Sequence, residues 1–137
     1  MKSRGEALAA AATSMIGAPF RLHGRDPEFG VDCVGLVACS LESIGMHPVP
    51  PASYSIRNTS IIGLLGCAEA SGLAPVQPPI ETGDIVLVKP GPAQHHLLIA
   101  DEAVGFIHAH AGLRQVVRMP APLPWPVIAA WRINPEN

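Results

Sequence analysis

Cys33 is the first residue whose type and position indicate chemistry. Asp32 before it is a typical helix N-cap residue, and apolar residues at helical spacing follow towards Gly45. A thiol at a helix start lies close to unpaired backbone N–H groups and to the positive end of the helix dipole. Both lower a thiol pKa, and the same N–H groups can hold an oxyanion during acyl transfer. The sequence therefore predicts a reactive nucleophile at Cys33, and the alternative is a buried, inert core cysteine.

The other two cysteines lack this setting. Cys39 lies six residues further along the predicted helix and projects to another face, and Cys67 stands among apolar residues of another predicted helix. We interpret both as core residues. Three cysteines without a CxxC spacing disfavour a disulfide framework and a structural zinc site, so at least one thiol should be free.

Two histidines on neighbouring predicted strands are the second indication of chemistry. His96 and His108 lie 12 residues apart, on strands that a short turn joins. If that turn centres on Glu102, an antiparallel hairpin places the two histidines directly opposite each other on one face. Opposed imidazoles can act as a base and as the group that fixes its tautomer. The alternative is a pair of partly exposed strand histidines without a role in catalysis.

A metal site is a further interpretation of the histidines. His95, His108, His110 and Asp101 are close in the sequence, and two of the histidines share a strand face, so zinc would need one more ligand. The chain has no HExxH motif and no carboxylate in a convincing position. We therefore expect no metal and no other cofactor.

Helices and loops are predicted before the strands. Glycine and proline mark the ends of the segments, and helical spacing or extended, proline-rich sequence marks their interiors. In order, we predict a helix over residues 4–16, a loop over 17–30, a helix from 33 towards 45, an extended segment over 47–54 and a third helix over 59–71.

The second half of the chain predicts short strands that are rich in β-branched residues and separated by turn residues. The predicted strands cover residues 84–89, 96–100, 105–110, 115–119 and 127–133. The proline-rich residues 120–126 are expected to be a connector only. Helices followed by strands indicate an α+β fold with an antiparallel sheet, and the length fits a single domain over residues 1–137.

Composition and charge exclude several classes of protein. The chain has 137 residues, 48% of them hydrophobic, and a formal net charge of −2, which disfavours both disorder and nucleic-acid binding. The apolar stretch at residues 7–12 is far below the ~18 residues of a membrane-spanning helix. Glu6 and Thr13 interrupt the pattern of a secretory signal. We expect no membrane insertion, no signal peptide and synthesis in the cytoplasm.

The order of these motifs resembles that of the NlpC family of papain-like cell-wall cysteine peptidases. The family's opening loop and nucleophile segment are similar to IGAPFR at residues 16–21 and to GVDCVGL at residues 30–36. Its Gly-Asp strand resembles GDIV at residues 83–86. Its two histidine segments resemble HLLI at residues 96–99 and FIHA at residues 106–109. The resemblance covers nearly the whole chain.

The resemblance implies a papain-like, NlpC-type fold with N-terminal helices packed on a roughly five-stranded antiparallel sheet. It implies that Cys33 is the nucleophile, that His96 is the general base and that His108 orients His96. The backbone N–H of Cys33 would contribute to the oxyanion hole. The implied activity is hydrolysis of amide bonds in peptidoglycan stem peptides, after the D-glutamyl residue.

Departures from the family pattern fall close to the nucleophile. Phe20 replaces a tyrosine, Val34 replaces a serine, and Leu97 and Leu98 replace Val-Gly after the first histidine. These changes predict a slower or differently selective peptidase, and the alternative is a catalytically weak or inactive module of a tail tip. Bare catalytic domains of this kind resemble those of phage tails and gene-transfer agents, which implies tail proteins as partners and assembly into a phage-tail-like particle.

Overall fold

The computed structural model describes residues 3–50, 67–92, 94–102 and 105–134 of the chain. The named elements are α1 (Arg4–Ser14), β1 (Arg25–Asp26), β2 (Gly30–Val31), α2 (Cys33–Ser43), β3 (Leu73–Pro75), β4 (Ile85–Gly91), β5 (Gln94–Ala100), β6 (Gly105–His110), β7 (Gln115–Pro120) and β8 (Val127–Ile133). Helices precede a large antiparallel sheet, so the predicted α+β class is confirmed.

The first helix ends earlier than the sequence predicts. Its C-cap is Met15, whose backbone N–H donates to the carbonyl oxygen of Ala12 at 3.0 Å, and the N–H of Ile16 donates to that of Thr13 at 3.1 Å, which tightens the last turn. Gly17 then adopts a φ of 95°, a left-handed conformation that glycine tolerates and that turns the chain away from the helix axis. The predicted extension to residue 16 is therefore wrong by two residues.

The large sheet has six strands in the order β3-β8-β4-β5-β6-β7, one more than predicted. β3 is the strand that the sequence analysis missed. It has three residues, lies at the edge beside β8 and ends at Pro75, a residue that only an edge position accommodates well. So short a segment shows no alternation from which a strand could be recognised.

Both faces of the sheet are covered by apolar side chains. Leu97 and Ile99 of β5 belong to the core that also contains Leu36 of α2, whereas Leu98 belongs to the core on the other face. This alternation is the period of two that a strand imposes. The helices therefore pack on one face of the central strands, and the connector before β8 covers part of the other.

Two predicted segments are only partly described. Of the third helix predicted over residues 59–71, residues 67–70 are helical and a turn follows at 71–72, while residues 59–66 lie outside the described part. Residues 47–50 have no regular structure, and 51–54 lie outside the described part. The β1–β2 hairpin, which was not predicted, lies mostly within the predicted loop over residues 17–30 and ends one residue beyond it, at Val31. Among the described helices, none is long and apolar enough to cross a membrane.

Candidate active site

Asp32 fixes the start of α2 and so fixes the position of Cys33. The buried carboxylate accepts hydrogen bonds from the backbone N–H of Gly35 at 2.8 Å and of His23 at 2.8 Å. A nitrogen of the Arg25 guanidinium lies 3.2 Å from the same carboxylate. Asp32 thus caps the helix and ties it to the preceding loop, and Cys33 is the first helical residue, as predicted.

Gly35, two residues after Cys33, allows α2 to pack closely against the preceding loop. A Cβ at this position would collide with the carbonyl oxygen of Gly24, so only glycine lets α2 lie this close to the loop. The same loop carries Phe20, whose backbone N–H donates to the carbonyl of Arg114 at 2.9 Å. Phe20 and Cys33 line the same cavity.

His96 and His108 form a direct contact. His96 Nε2 lies 2.8 Å from His108 Nδ1, and the ring centroids are 5.0 Å apart in an edge-to-face arrangement. The rings nevertheless do not meet in the predicted register. β5 and β6 pair Ile99 with Ile107, which moves the centre of the hairpin one residue beyond Glu102. The prediction that the two histidines lie directly opposite each other is therefore wrong. They are diagonal neighbours on the same face of the two strands, and their rings meet along that diagonal.

Asp101 accounts for the shifted register. Its backbone N–H donates to the Gly105 carbonyl at 3.0 Å, and its buried carboxylate accepts the Gly105 N–H at 3.0 Å. These two bonds close the hairpin over a wider turn than the one centred on Glu102. Moving the centre of the turn by one residue changes the partner of each strand residue by two positions. Because side chains alternate between faces, a change of two positions keeps His96 and His108 on the same face.

The predicted site residues line one open cavity of about 260 Å³. Cys33, His96 and His108 all contribute to its wall, together with apolar and further histidine side chains. His95 contributes as well, but the hydrogen bond to His108 is made by His96. The structure therefore brings the nucleophile, base and orienting residue of the resemblance to one place.

The remaining cysteines lie elsewhere. Cys39 packs against the core, and its thiol donates to the carbonyl of Arg25 at 3.0 Å. Cys67 is partly buried at the start of the helical residues 67–70. All three cysteines are free thiols, which confirms that no disulfide framework forms.

Burial is the largest influence on the pKa of the Cys33 thiol. The pKa of the Cys33 thiol is raised to about 11, mainly because burial disfavours the thiolate, and the nearby carboxylate of Asp32 acts in the same direction. The backbone N–H groups of Leu97, Val34 and Cys33 itself act in the opposite direction, because they favour the thiolate. The predicted lowering of the thiol pKa is therefore wrong: the N–H groups are in place, but desolvation of the sulfur outweighs them.

The two histidines are held in their neutral forms. Burial lowers the pKa of His96 to about 3, with contributions from His108 and His110. Burial also lowers the pKa of His108 to about 4, again with a contribution from His110. At neutral pH the resting site therefore contains an uncharged thiol and uncharged imidazoles rather than a thiolate–imidazolium pair.

Alkylation of Cys33 by iodoacetamide should rise steeply with pH. Because the thiolate reacts and the thiol pKa is about 11, the rate should increase about tenfold per pH unit between pH 7 and 10. Peptide mapping after short pulses measures labelling at each cysteine. A rate that is already at a plateau between pH 5 and 8 would contradict a neutral resting pair.

Trp125 is the site residue that the sequence analysis missed. Its indole ring lies edge-to-face with His96 at a centroid distance of 6.3 Å and with His108 at 6.4 Å, and it lines the cavity. The segment that carries it was predicted to be a connector only. A large aromatic residue between prolines, outside any strand, is the signal that could have indicated a role.

A metal centre finds no support among the described residues. No group of three or more His, Cys, Asp or Glu side chains in this part of the chain is arranged to hold a metal ion. Of the four residues considered at the sequence level, His95, His108 and His110 line the cavity, whereas Asp101 does not and is engaged in closing the hairpin.

Sequence comparisons give no match, neither with models of known families nor with curated proteins. Solved structures do match. The chain is similar to NlpC2 from Trichomonas vaginalis (TM-score 0.76, 18% identity, 97% of this chain and 47% of that one). It is also similar to the peptidoglycan hydrolase RipB from Mycobacterium tuberculosis (TM-score 0.65, 21% identity, 95% and 64%). A third match is the NlpC/p60 domain of the peptidoglycan hydrolase SagA (TM-score 0.57, 24% identity, 85% and 88%).

These similarities show that the chain has the NlpC-type fold, which confirms the fold implied by the sequence resemblance. NlpC2 and a second Trichomonas vaginalis protein, NlpC1, are matched over nearly all of this chain. The chain spans about half the length of either protein.

Proposed function

We propose that this NlpC-type fold carries a cysteine peptidase that hydrolyses amide bonds in peptidoglycan stem peptides. The observation that supports it most is the 2.8 Å contact between His96 and His108 on the wall of the cavity that Cys33 also lines. A nucleophile, a base and a residue that orients the base are the parts that acyl transfer requires. The similar structures include two peptidoglycan hydrolases, which favours a cell-wall substrate.

The reaction begins with an uncharged pair. Cys33 Sγ attacks the amide carbonyl while its proton passes to His96, which acts as a general base. The imidazolium then gives this proton to the leaving amine as the C–N bond breaks, and a thioester remains on Cys33. Water, deprotonated by His96, attacks the thioester, releases the carboxylic acid and returns the proton to the sulfur.

The contact between the histidines sets the tautomer that this step needs. When His96 Nε2–H donates to His108 Nδ1, the other nitrogen of His96 is left as the acceptor for the thiol proton. The imidazolium that forms keeps the same hydrogen bond, now charge-assisted and stronger. His108 is thus an orienting residue that stabilises the intermediate without a negative charge of its own.

Backbone N–H groups at the start of α2 support the negative charge. The N–H of Cys33 is unpaired within the helix, because the first N–H groups of any helix lack intrahelical acceptors. We propose that it binds the oxyanion of the tetrahedral intermediate. The N–H groups that favour the thiolate, including that of Leu97, stabilise the sulfur as its proton leaves.

A second candidate is a catalytically weak binding module of a tail tip. The raised pKa of Cys33 supports it, because a buried neutral thiol is a poor nucleophile until a base removes its proton. On the sequence resemblance alone, we propose synthesis in the bacterial cytoplasm and assembly into a phage-tail-like particle for either candidate.

Digestion of purified muropeptides tests the proposal. The protein is incubated with muropeptides of several stem chemistries, with and without a chelator, and the products are read by mass spectrometry. We expect cleaved stem peptides, after the D-glutamyl residue, with new amines and no effect of the chelator. Cut glycan strands with intact stems would contradict the peptidase, and no product from any stem would favour the binding module.

A further inference from the structure

Trp125 occupies a position from which it can control the two site histidines. We propose that Trp125 is a positioning residue: its indole ring fixes the planes of His96 and His108 and keeps water away from the hydrogen bond between them. The inference rests on the proposed function, in which that hydrogen bond orients the base. Trp125 itself takes no part in the transfer of protons.

The ring geometry supports a positioning role. The indole plane makes an angle of 87° with the ring of His96 and of 72° with the ring of His108. The two imidazoles are themselves at 77° to each other. Edge-to-face contact is one of the two arrangements that aromatic rings prefer. One indole therefore restrains both imidazoles at once.

The indole is itself held by the fold. Trp125 packs against the core on the sheet face that contains Leu98, and the next residue, Pro126, accepts a hydrogen bond from the backbone N–H of Lys89 at 3.1 Å. This bond ties the connector to β4 one residue after the indole. Trp125 is therefore held by this backbone bond and by its packing on the sheet, although it lies outside any strand.

The surroundings of His96 show what the indole contributes. The titratable groups that share its cavity are Asp32 and Cys33 from the start of α2, His95 from the same strand, and His108 and His110 from β6. Among the described cavity residues, none is a lysine or an arginine. Burial is the largest cause of the low pKa of His96, and Trp125 is the largest apolar side chain in contact with its ring. Removing the indole should therefore let water reach His96.

The test replaces Trp125 with alanine and with phenylalanine, and uses Trp131→Phe as the matched control. Trp131 is the other tryptophan, buried in the core on the helix-facing side of the sheet. NMR titration of the histidine rings measures the pKa of His96, and kcat and KM are measured against pH. We expect Trp125→Ala to raise the His96 midpoint from about 3 towards the usual 6.5, by about two pH units or more.

In the same variant kcat should fall about tenfold to a hundredfold, and KM should change little. The acid limb of the pH profile of kcat should shift to higher pH together with the titration midpoint of His96. Trp125→Phe should restore most of both properties, and the control should change neither. If Trp125→Ala does not fold, Trp125→Leu should raise the midpoint by about one pH unit, because it fills volume without covering both rings.

The titration separates this inference from the proposed function, because it needs no substrate. An unchanged His96 midpoint in folded Trp125→Ala or Trp125→Leu would overturn the inference whether or not the protein cuts peptides. A raised midpoint in a protein that cleaves no peptide would support the positioning role of Trp125 and contradict the proposed activity. A rise in KM alone, with the midpoint unchanged, would make Trp125 a substrate contact instead.

Discussion

Replacing Cys33 with alanine is expected to abolish cleavage of stem peptides, with a fall in kcat/KM of at least about 10³-fold. The reason is that the thioester cannot form without the sulfur, and the described residues that line the cavity include no other thiol and no hydroxyl side chain. Cys33→Ser should be nearly as inactive, because a hydroxyl is harder to deprotonate than a thiol. The measurement is the rate of release of new amines from purified muropeptides at pH 7.

Cys39→Ala is the matched control for the nucleophile. It removes a thiol from the same helix, six residues away, that donates to a backbone carbonyl and lies outside the cavity. Activity should stay within about threefold of the native value, which is the scale of losing one neutral hydrogen bond. Full activity in folded Cys33→Ala would remove Cys33 from the mechanism.

Replacing His96 with alanine should reduce kcat/KM by about 10³-fold or more, whereas His95→Ala should keep activity within about tenfold. Both histidines line the cavity, but His96 is the one that contacts His108. His108→Ala should cost less than His96→Ala, since it removes the orienting group and leaves the base. The same peptide-release assay measures all three variants.

The His108→Gln variant tests whether His108 acts by accepting a hydrogen bond from His96 or only by filling space. A glutamine oxygen can accept the hydrogen bond from His96 Nε2, so this variant should be more active than His108→Ala. If the His95→Ala variant is inactive while the His96→Ala variant is active, then His95 is the base, and β5 presents His95 rather than His96 to the thiol.

The helix start at Cys33 could be predicted because its determinants are local. Asp32 is an N-cap by residue type, and its carboxylate accepts a backbone N–H of the first helical turn. The strands Gly105–His110 and Val127–Ile133 were predicted with their observed bounds, because turn residues flank β-branched runs.

The register of the histidine hairpin could not be predicted with the same certainty. It depends on Asp101, whose carboxylate closes a wider turn by binding the Gly105 N–H. The sequence shows the aspartate but not which N–H it will bind. The rings of His96 and His108 nevertheless contact each other as predicted, because a change of two positions in the strand pairing leaves both histidines on the same face of the sheet.

The state of the thiol and the role of Trp125 depend on tertiary packing. Local sequence places N–H groups at the thiol and so predicts a lowered pKa for Cys33. Only the assembled fold shows the burial that raises this pKa instead. The contacts of Trp125 join the connector before β8 to histidines of β5 and β6, which no local pattern encodes.

Capture of the acyl-enzyme is the most direct test of the central claim, that Cys33 carries the acyl group. An activated ester of the γ-D-glutamyl part of a stem peptide is mixed with the protein, the reaction is stopped with acid, and intact mass and peptide mapping follow. We expect an added mass equal to the acyl group, located on Cys33 and absent from Cys33→Ala. Turnover of the ester with no adduct on Cys33, or with the adduct on another residue, would contradict it.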